Sequence, residues 1–469
     1  MPYLLATIAM GIFVTLQAGF GSESLDGFVE DELRASALPG VAYAWVENGE
    51  VAGDAQGVAD RGSGTAMSPD MPVPTGSISK SFTAIAILQL VESGEVELDG
   101  NLSRYLDVFS GRPAGAITIR QLLGHTSGYS TRQGNDTHQD RTDSDDAMMR
   151  QVDRMAEWEL AYAPGTQWDY SNANYILLGA VIEAVSGLKY DRYVERRILE
   201  PIGMKNSFVG DGAIYPNIAV GHTPWFGGKR PVKGSKSSRV IAPAGGVVAS
   251  ANDLALYLAM LLNGTDDIIS AQSKSLMMQP ASAQSPYYGL GWMLNPQDGT
   301  VYHTGISPGV ETLALLVPSE RKAVVVLVNA GSGMGFGETG NLLNGISAHA
   351  LGRDYVPDQS SLGRKSLFLM FAVLPLLFLV GTVQAWLRRS GLRAKSGVSG
   401  AFSLWFPLLM TLVLAWVCLF LLPNLFGVSL STLGIFSPDL AIVLLATAVT
   451  GLIWAVFRLG LFYGPLGRI

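Results

Sequence analysis

Three long apolar segments near the C-terminus, about residues 366–386, 402–426 and 438–457, restrict what this 469-residue chain can become more than any other feature. Each approaches the roughly 20 residues that a helix needs to cross a bilayer. Three such runs in succession do not suit the buried helices of a soluble core, so the chain is expected to end in three transmembrane helices. None carries an ionisable side chain near its middle, and Gln384 lies near an end. That pattern belongs to an anchor rather than to a transport pathway, where intramembrane charge is the usual mark. The first intervening loop holds Arg388, Arg389, Arg393 and Lys395, the loop 427–437 has no basic residue, and Arg458 and Arg468 come after it. The positive-inside rule then places the first loop and the C-terminus in the cytoplasm and the preceding body outside. Arg364 and Lys365 run weakly against that orientation.

Residues 2–20 carry no charge. They read as a secretory signal, with Leu16-Gln17-Ala18 ahead of a cleavage point, or as a retained N-terminal anchor. Either places the body beyond residue 22 outside the cytoplasm of a bacterial-type cell, on the inner membrane. Residues 23–352 have the composition of a globular domain, and 353–365 read as a linker. Of 32 basic and 39 acidic residues, eight basic and one acidic fall after residue 360, so the body is acidic. It lacks the basic footprint that binding to nucleic acid requires. The one cysteine, Cys418, sits in an apolar run, so neither an intrachain disulfide nor a cysteine metal site can form.

Within the body, Asn48-Gly49 separates two alternating runs and signals a hairpin. Residues 77–92 are apolar almost all round and stop at Gly94, which predicts a buried helix. Further helical patterns cover 173–186, 252–263 and about 339–351, and the polar stretch 131–147 reads as a solvated loop. Strands are expected at 289–294, 301–305, 311–317 and 322–329, the last two joined by Pro318-Ser319-Glu320-Arg321. Strands at both ends with helices between predict an α+β fold: an antiparallel sheet closed by the two ends of the body, flanked by helices, plus a helical region.

Ser77 and Lys80 open the 77–92 helix and share one of its faces. A serine hydroxyl is a poor nucleophile without a base in hydrogen-bond reach. Lysine in water holds its proton too tightly to serve, but at the start of an apolar helix desolvation lowers its pKa. The helix amino terminus also offers N–H groups to an oxyanion. The spacing alone is common and equally describes a helix cap followed by a solvated lysine. Two further motifs shift that balance. Tyr170-Ser171-Asn172 precedes an apolar helix, and His303-Thr304-Gly305 lies on an edge strand.

With those three motifs in that order, the chain resembles the serine β-lactamase and penicillin-binding protein superfamily, nearest the class C branch that also holds D-aminopeptidases and carboxylesterases. The match extends to T-I-R-Q-L-L-G-H-T-S-G (118–128), P-A-G-G-V-V-A-S-A-N-D-L (243–254) and Y-G-L-G-W (288–292), spanning roughly 25–350. The resemblance implies a β-lactamase/transpeptidase-like fold. It makes Ser77 the acylated nucleophile, Lys80 its base and Tyr170 a proton relay. Asn172 would bind substrate and Lys80, and His303, Thr304 and Gly305 would line the substrate. The N–H groups of Ser77 and Ile306 would form the oxyanion hole. A tyrosine near two cations can also ionise well below pH 10. The third motif departs from the Lys-Thr-Gly usual in β-lactamases, and a mostly neutral histidine there looks more like the peptidase and esterase members.

Other patterns are weaker. Gly305-Ile306-Ser307-Pro308-Gly309 fits a nucleophile elbow, but Pro308 has no N–H for the oxyanion and the next residues read as strand rather than helix. Asp136, His138, Asp140, Asp143, Asp145 and Asp146 match no metal motif and read as a solvated loop with helix caps. His125 reads as structural or cleft-lining, and Gly331, Gly333, Gly335 and Gly337 as a flexible turn. The sequence therefore points to a membrane-tethered extracytoplasmic serine hydrolase without metal or cofactor, acting on a small peptide, an ester or a β-lactam. A β-lactamase proper, or a sensor acylated without turnover, is the alternative.

Overall fold

The computed structural model describes residues 24–140, 142–232, 234, 238–358 and 360–464. The expected signal or anchor at 1–22 lies outside the described residues. Two compact units emerge: a body of residues 24–332 and 337–358, and a helical unit of residues 360–464 together with Gly333–Phe336.

The body is organised by a seven-stranded antiparallel sheet. Its strands are β1 (Gly40–Glu47), β2 (Glu50–Asp60), β3 (Thr65–Ala66), β4 (Met293–Leu294), β5 (Val301–Ser307), β6 (Val310–Val317) and β7 (Lys322–Val328). They lie in the order β3-β2-β1-β7-β6-β5-β4. The predicted closure of the two ends is realised in β1 against β7, with Val41 opposite Val328 and Val46 opposite Ala323. The Asn48-Gly49 hairpin is also present. Both residues take positive φ, 53° and 85°, and Glu47 pairs with Glu50, as a two-residue turn of that hand requires.

Alternation along the strands sends side chains to two different cores. Val41, Tyr43, Val324, Val326 and Val328 join Phe28 and Val29 of α1 (Leu25–Ala35) and, from a second helix near the end of the body (Gly340–Ala350), Leu342 and Ile346. On the other face Ala42, Ala44, Ala323, Val325 and Leu327 belong to the larger core. That core also takes α2 (Ser79–Glu92), α3 (Asn172–Ser186) and α4 (Ala251–Leu262). A strand covered on both faces reads as an unbroken apolar run, which is how Lys322–Val328 appears in sequence. In α2, Phe82, Ile85, Ile87 and Leu88 are buried, and Phe82 stacks on Tyr257 with ring centroids 4.1 Å apart. Gly94 then ends the segment at φ 77°.

Three expectations shift. The strand at 289–294 shrinks to Met293–Leu294, because Gly291 turns at φ +81° and packs where a Cβ would stand 2.9 Å from Ser81 Cα. The polar stretch 131–147 is not a plain solvated loop. It holds a short helix, Thr131–Asp136, closed by a reciprocal Ser130–Gln133 capping box, and a 3-10 turn at Thr137–Gln139. The segment expected as a linker is partly pinned to the body: Tyr355 Oη and the Asp358 N–H both donate to Asn341 Oδ1, at 2.8 and 2.9 Å.

The helical unit holds three helices long and apolar enough to cross a membrane: Ser361–Leu387, Gly397–Leu425 and Pro438–Tyr463. The first begins before residue 366, so Arg364 and Lys365 lie in its opening turns. Phe371, Cys418 and Leu444 share one buried cluster inside the unit.

Truncating Phe82 to alanine removes a buried ring from the base of α2. The Phe82→Ala chain is expected to lose about 3–5 kcal/mol of body stability, measured by denaturant unfolding of detergent-solubilised protein, and a loss under about 1 kcal/mol would contradict this packing.

Candidate active site

Ser77 sits in a 3-10 turn, Gly76–Ile78, that runs directly into α2. The turn is tied down before the serine is reached. Thr75 Oγ1 donates to the Val247 carbonyl at 2.8 Å, and the Val247 N–H donates to Ser79 Oγ at 2.9 Å. From β6, Thr312 Oγ1 donates to the Thr75 carbonyl at 2.8 Å. Strand β5 passes against this turn so closely that two glycines are required. A Cβ on Gly305 would lie 1.9 Å from the Thr75 oxygen, and one on Gly76, where φ is +56°, would lie 2.5 Å from Ile306 N. The Ile306 N–H therefore borders the turn that carries Ser77, and Ile306's own side chain is about half exposed.

Lys80 is fully buried among three oxygen atoms. Its Nζ lies 3.0 Å from Ser77 Oγ, 2.7 Å from Asn172 Oδ1 and 2.7 Å from the Ala244 carbonyl. Desolvation drives its pKa well below the ordinary value. A neutral amine has two N–H donors and one lone pair. Asn172 Oδ1 and the Ala244 carbonyl can only accept here, so an amine that has given up its proton would turn its lone pair to the Ser77 hydroxyl.

Asn172 opens α3 and is itself buried. Besides accepting from Lys80, its Nδ2 donates to Asn135 Oδ1 at 3.0 Å and lies 3.3 Å from His138 Nε2. One N–H of the amide is thus engaged by Asn135, and the other faces the His138 ring. His138 and Asn135 come from the stretch expected to be solvated. The turn is brought in by Gly134, where a Cβ would stand 2.4 Å from Asn172 N. Burial, and then the proximity of Lys80, push the His138 imidazole below its usual pKa.

Tyr170 packs over the lysine, whose Nζ is 4.9 Å from the ring centroid. Its hydroxyl is buried and accepts no hydrogen bond from a described residue. The expected ionisation below pH 10 is not met: burial raises the phenol's pKa, and the nearness of Ser77 offsets only part of that. The same burial that disfavours the phenolate also lowers the pKa of Lys80 and of the nearby histidines, so these neighbours favour ionisation less than exposed cations would.

Two histidines brace the tyrosine. His125, at φ 59°, stacks against Tyr170 at 4.4 Å, and its Nδ1 accepts from the Ser171 N–H and from Asn174 Nδ2. His303 was expected to line the substrate, but its ring is fully buried. Its Nδ1–H donates to the Thr304 carbonyl at 2.7 Å, and its Nε2 accepts from Tyr288 Oη at 3.1 Å. Desolvation, with Lys80 second, pushes its pKa down to about 3, so it is neutral at pH 7. It packs beside Tyr170, 6.1 Å between centroids, and offers no unoccupied nitrogen. Thr304 remains half-buried on β5 next to the turn.

Sequence and fold match known proteins. A family model described as beta-lactamase fits residues 25–347. The chain belongs to the β-lactamase family. Penicillin-binding protein 4 of Amycolatopsis lactamdurans is 30% identical over 329 residues, covering 65% of this chain and 85% of that protein. Protein flp of Staphylococcus aureus is 28% identical over 321 residues, or 66% of this chain and 63% of flp, so the chain matches less than two thirds of flp's length. The solved structure of the penicillin binding protein from Bacillus halodurans is 26% identical with a TM-score of 0.54, covering 65% of this chain and 96% of that one.

Among the described residues no group of His, Cys, Asp or Glu is arranged to hold a metal ion. Asp140 instead pairs with Arg154. The sequence reading missed Asn135, His138, Tyr288 and the Ala244 carbonyl. Gly134 inside a polar run was the one available signal for the first two, since a glycine flanked by a capping box marks a close approach.

Gly305→Ala forces a Cβ into the Thr75 carbonyl. It is expected to lower any catalytic turnover at least about 100-fold through displacement of β5 from the Ser77 turn, while circular dichroism stays native-like. Turnover within about threefold of wild type would show that the contact is not needed.

Proposed function

We propose that the chain is a membrane-tethered hydrolase that cleaves an ester or amide through an acyl-Ser77 intermediate. The observation that carries this reading is the buried Lys80 amine, 3.0 Å from Ser77 Oγ and held by the acceptors Asn172 Oδ1 and Ala244 carbonyl. Membership of the β-lactamase family supports it.

In this mechanism Ser77 Oγ attacks the carbonyl carbon as its proton passes to the Lys80 lone pair. The N–H groups of Ser77 and Ile306 receive the developing oxyanion. The bond to the leaving group then breaks. The neutral Tyr170 hydroxyl gives its proton to that group and is reprotonated from the Lys80 ammonium. A protonated phenol suits this donor role better than a phenolate would, which agrees with the raised pKa. Water next attacks the acyl carbon and passes a proton through Tyr170 to Lys80. Ser77 Oγ recovers that proton as the acyl–oxygen bond breaks. Asn172 holds Lys80, and His303 holds Tyr170.

Small esters and peptides ending in D-amino acids are the substrate classes favoured. The neutral, enclosed His303 supplies no cation for the carboxylate of a β-lactam, which disfavours a β-lactamase proper. The body lies outside the bacterial-type inner membrane and the C-terminus in the cytoplasm. The clustered Arg388, Arg389, Arg393 and Lys395 between the first two spans support that orientation.

Intact-mass analysis after incubation with a fluorophosphonate and with a fluorescent penicillin tests the nucleophile. A covalent adduct mapping to Ser77 is expected with the first probe at least, and none in Ser77→Ala. Lys80→Ala is expected to slow acylation about 10²–10⁴-fold. Wild-type acylation should fall as pH drops through the lowered Lys80 pKa, because the ammonium has no lone pair. An unmodified Ser77 with full turnover in Ser77→Ala would defeat the assignment. For topology, a fluorescent protein that matures only in the cytoplasm is expected to glow when fused after residue 469 and to stay dark when fused within 427–437. The reverse pattern would invert the orientation.

A further inference from the structure

The amide of Asn172 has no donor left for a ligand. A side-chain amide carries two N–H groups. Here one meets Asn135 Oδ1 at 3.0 Å and the other faces His138 Nε2 at 3.3 Å, while Oδ1 accepts from Lys80. Only 5% of Asn172 is exposed. The clamp is firmly built. Thr131 Oγ1 donates to the Tyr170 carbonyl at 2.6 Å, Ser171 Oγ donates to the Ser130 carbonyl at 2.9 Å, and Gly134 permits backbone contact with α3. His138 is held neutral by its surroundings, and in the tautomer protonated on Nδ1 its Nε2 accepts from Asn172. A substrate with an acylamido carbonyl beside the scissile bond gains binding only if an N–H turns toward it. Asn172 would have to break a bond inside the protein to supply one, for little net gain.

We propose that Asn135 and His138 are specificity-determining residues that withdraw Asn172 from substrate recognition, so that the site takes simple carboxylic esters and draws no binding from an acylamido group. N-acyl-D-alanyl peptides and acylaminopenicillins would then have no advantage from that group. This rests on the acyl-Ser77 reading and narrows its substrate class.

The test compares p-nitrophenyl propionate with p-nitrophenyl N-acetyl-D-alaninate on the full-length chain, each kcat/KM divided by the ester's own alkaline hydrolysis rate. The wild-type ratio of the acylamido ester to the plain ester is expected to be below about tenfold, and a ratio of tenfold or more overturns the proposal. His138→Ala and Asn135→Ala each release one N–H, so the ratio is expected to rise about fivefold, carried by KM. A ratio unchanged in both variants also overturns it. Losses from partial misfolding affect both esters alike and cancel in the ratio. Ser77→Ala is run with the same pair. Turnover surviving in that variant removes the acyl-serine reading and this inference with it, whereas turnover lost there together with a high wild-type ratio removes this inference alone.

Discussion

An amine kept dry governs this site. Lys80 has no carboxylate among its partners, only oxygens of Ser77, Asn172 and Ala244. Burying an ammonium in such a setting is costly by several kcal/mol, which lowers the amine's pKa. The same burial acts on the neighbours: it pushes His303 down to about 3 and His138 to about 4, and it raises the Tyr170 phenol. The charged forms of all these groups are thus disfavoured together. The same burial couples folding to pH. Between the lowered Lys80 pKa and its ordinary value near 10.5, the unfolded chain holds a proton that the folded chain lacks. This group's contribution to stability therefore grows as pH rises through that window.

Geometry around the amine is set by backbone contacts more than by side chains. Thr75, Ser79, Val247 and Thr312 lock the turn, and Gly305 lets β5 lie against it. The glycine of His-Thr-Gly is required by a carbonyl that would stand 1.9 Å from a Cβ there.

Much of the fold was legible because its strongest signals are local. Asn48-Gly49 can close only one kind of hairpin, and Lys322–Val328 is apolar on both faces because both are covered. Ser77, Lys80, Tyr170 and Asn172 were found through the spacing of motifs, and the structure gathers them. What escaped depends on contacts distant in sequence. Asn135 and His138 lie in a run rich in aspartate, and polarity alone cannot tell a solvated turn from one folded over a helix end. The inward-facing His303 was misread for a related reason. An edge strand in sequence gives no sign of which of its faces lies beneath two tyrosines. Tyr170's pKa was misjudged because its neighbours were counted as cations, when burial disfavours their charge.

The pairing of β1 with β7 has a consequence for how the body comes into being. These two strands are adjacent in the sheet yet about 280 residues apart in the chain, as Val41 opposite Val328 shows. The sheet cannot close until nearly the whole body has been synthesised. Such non-local pairing folds slowly, and β1 waits with an open edge until β7 arrives. The chain is therefore exposed to sticking to itself through that open edge for longest just before its closing strand is in place.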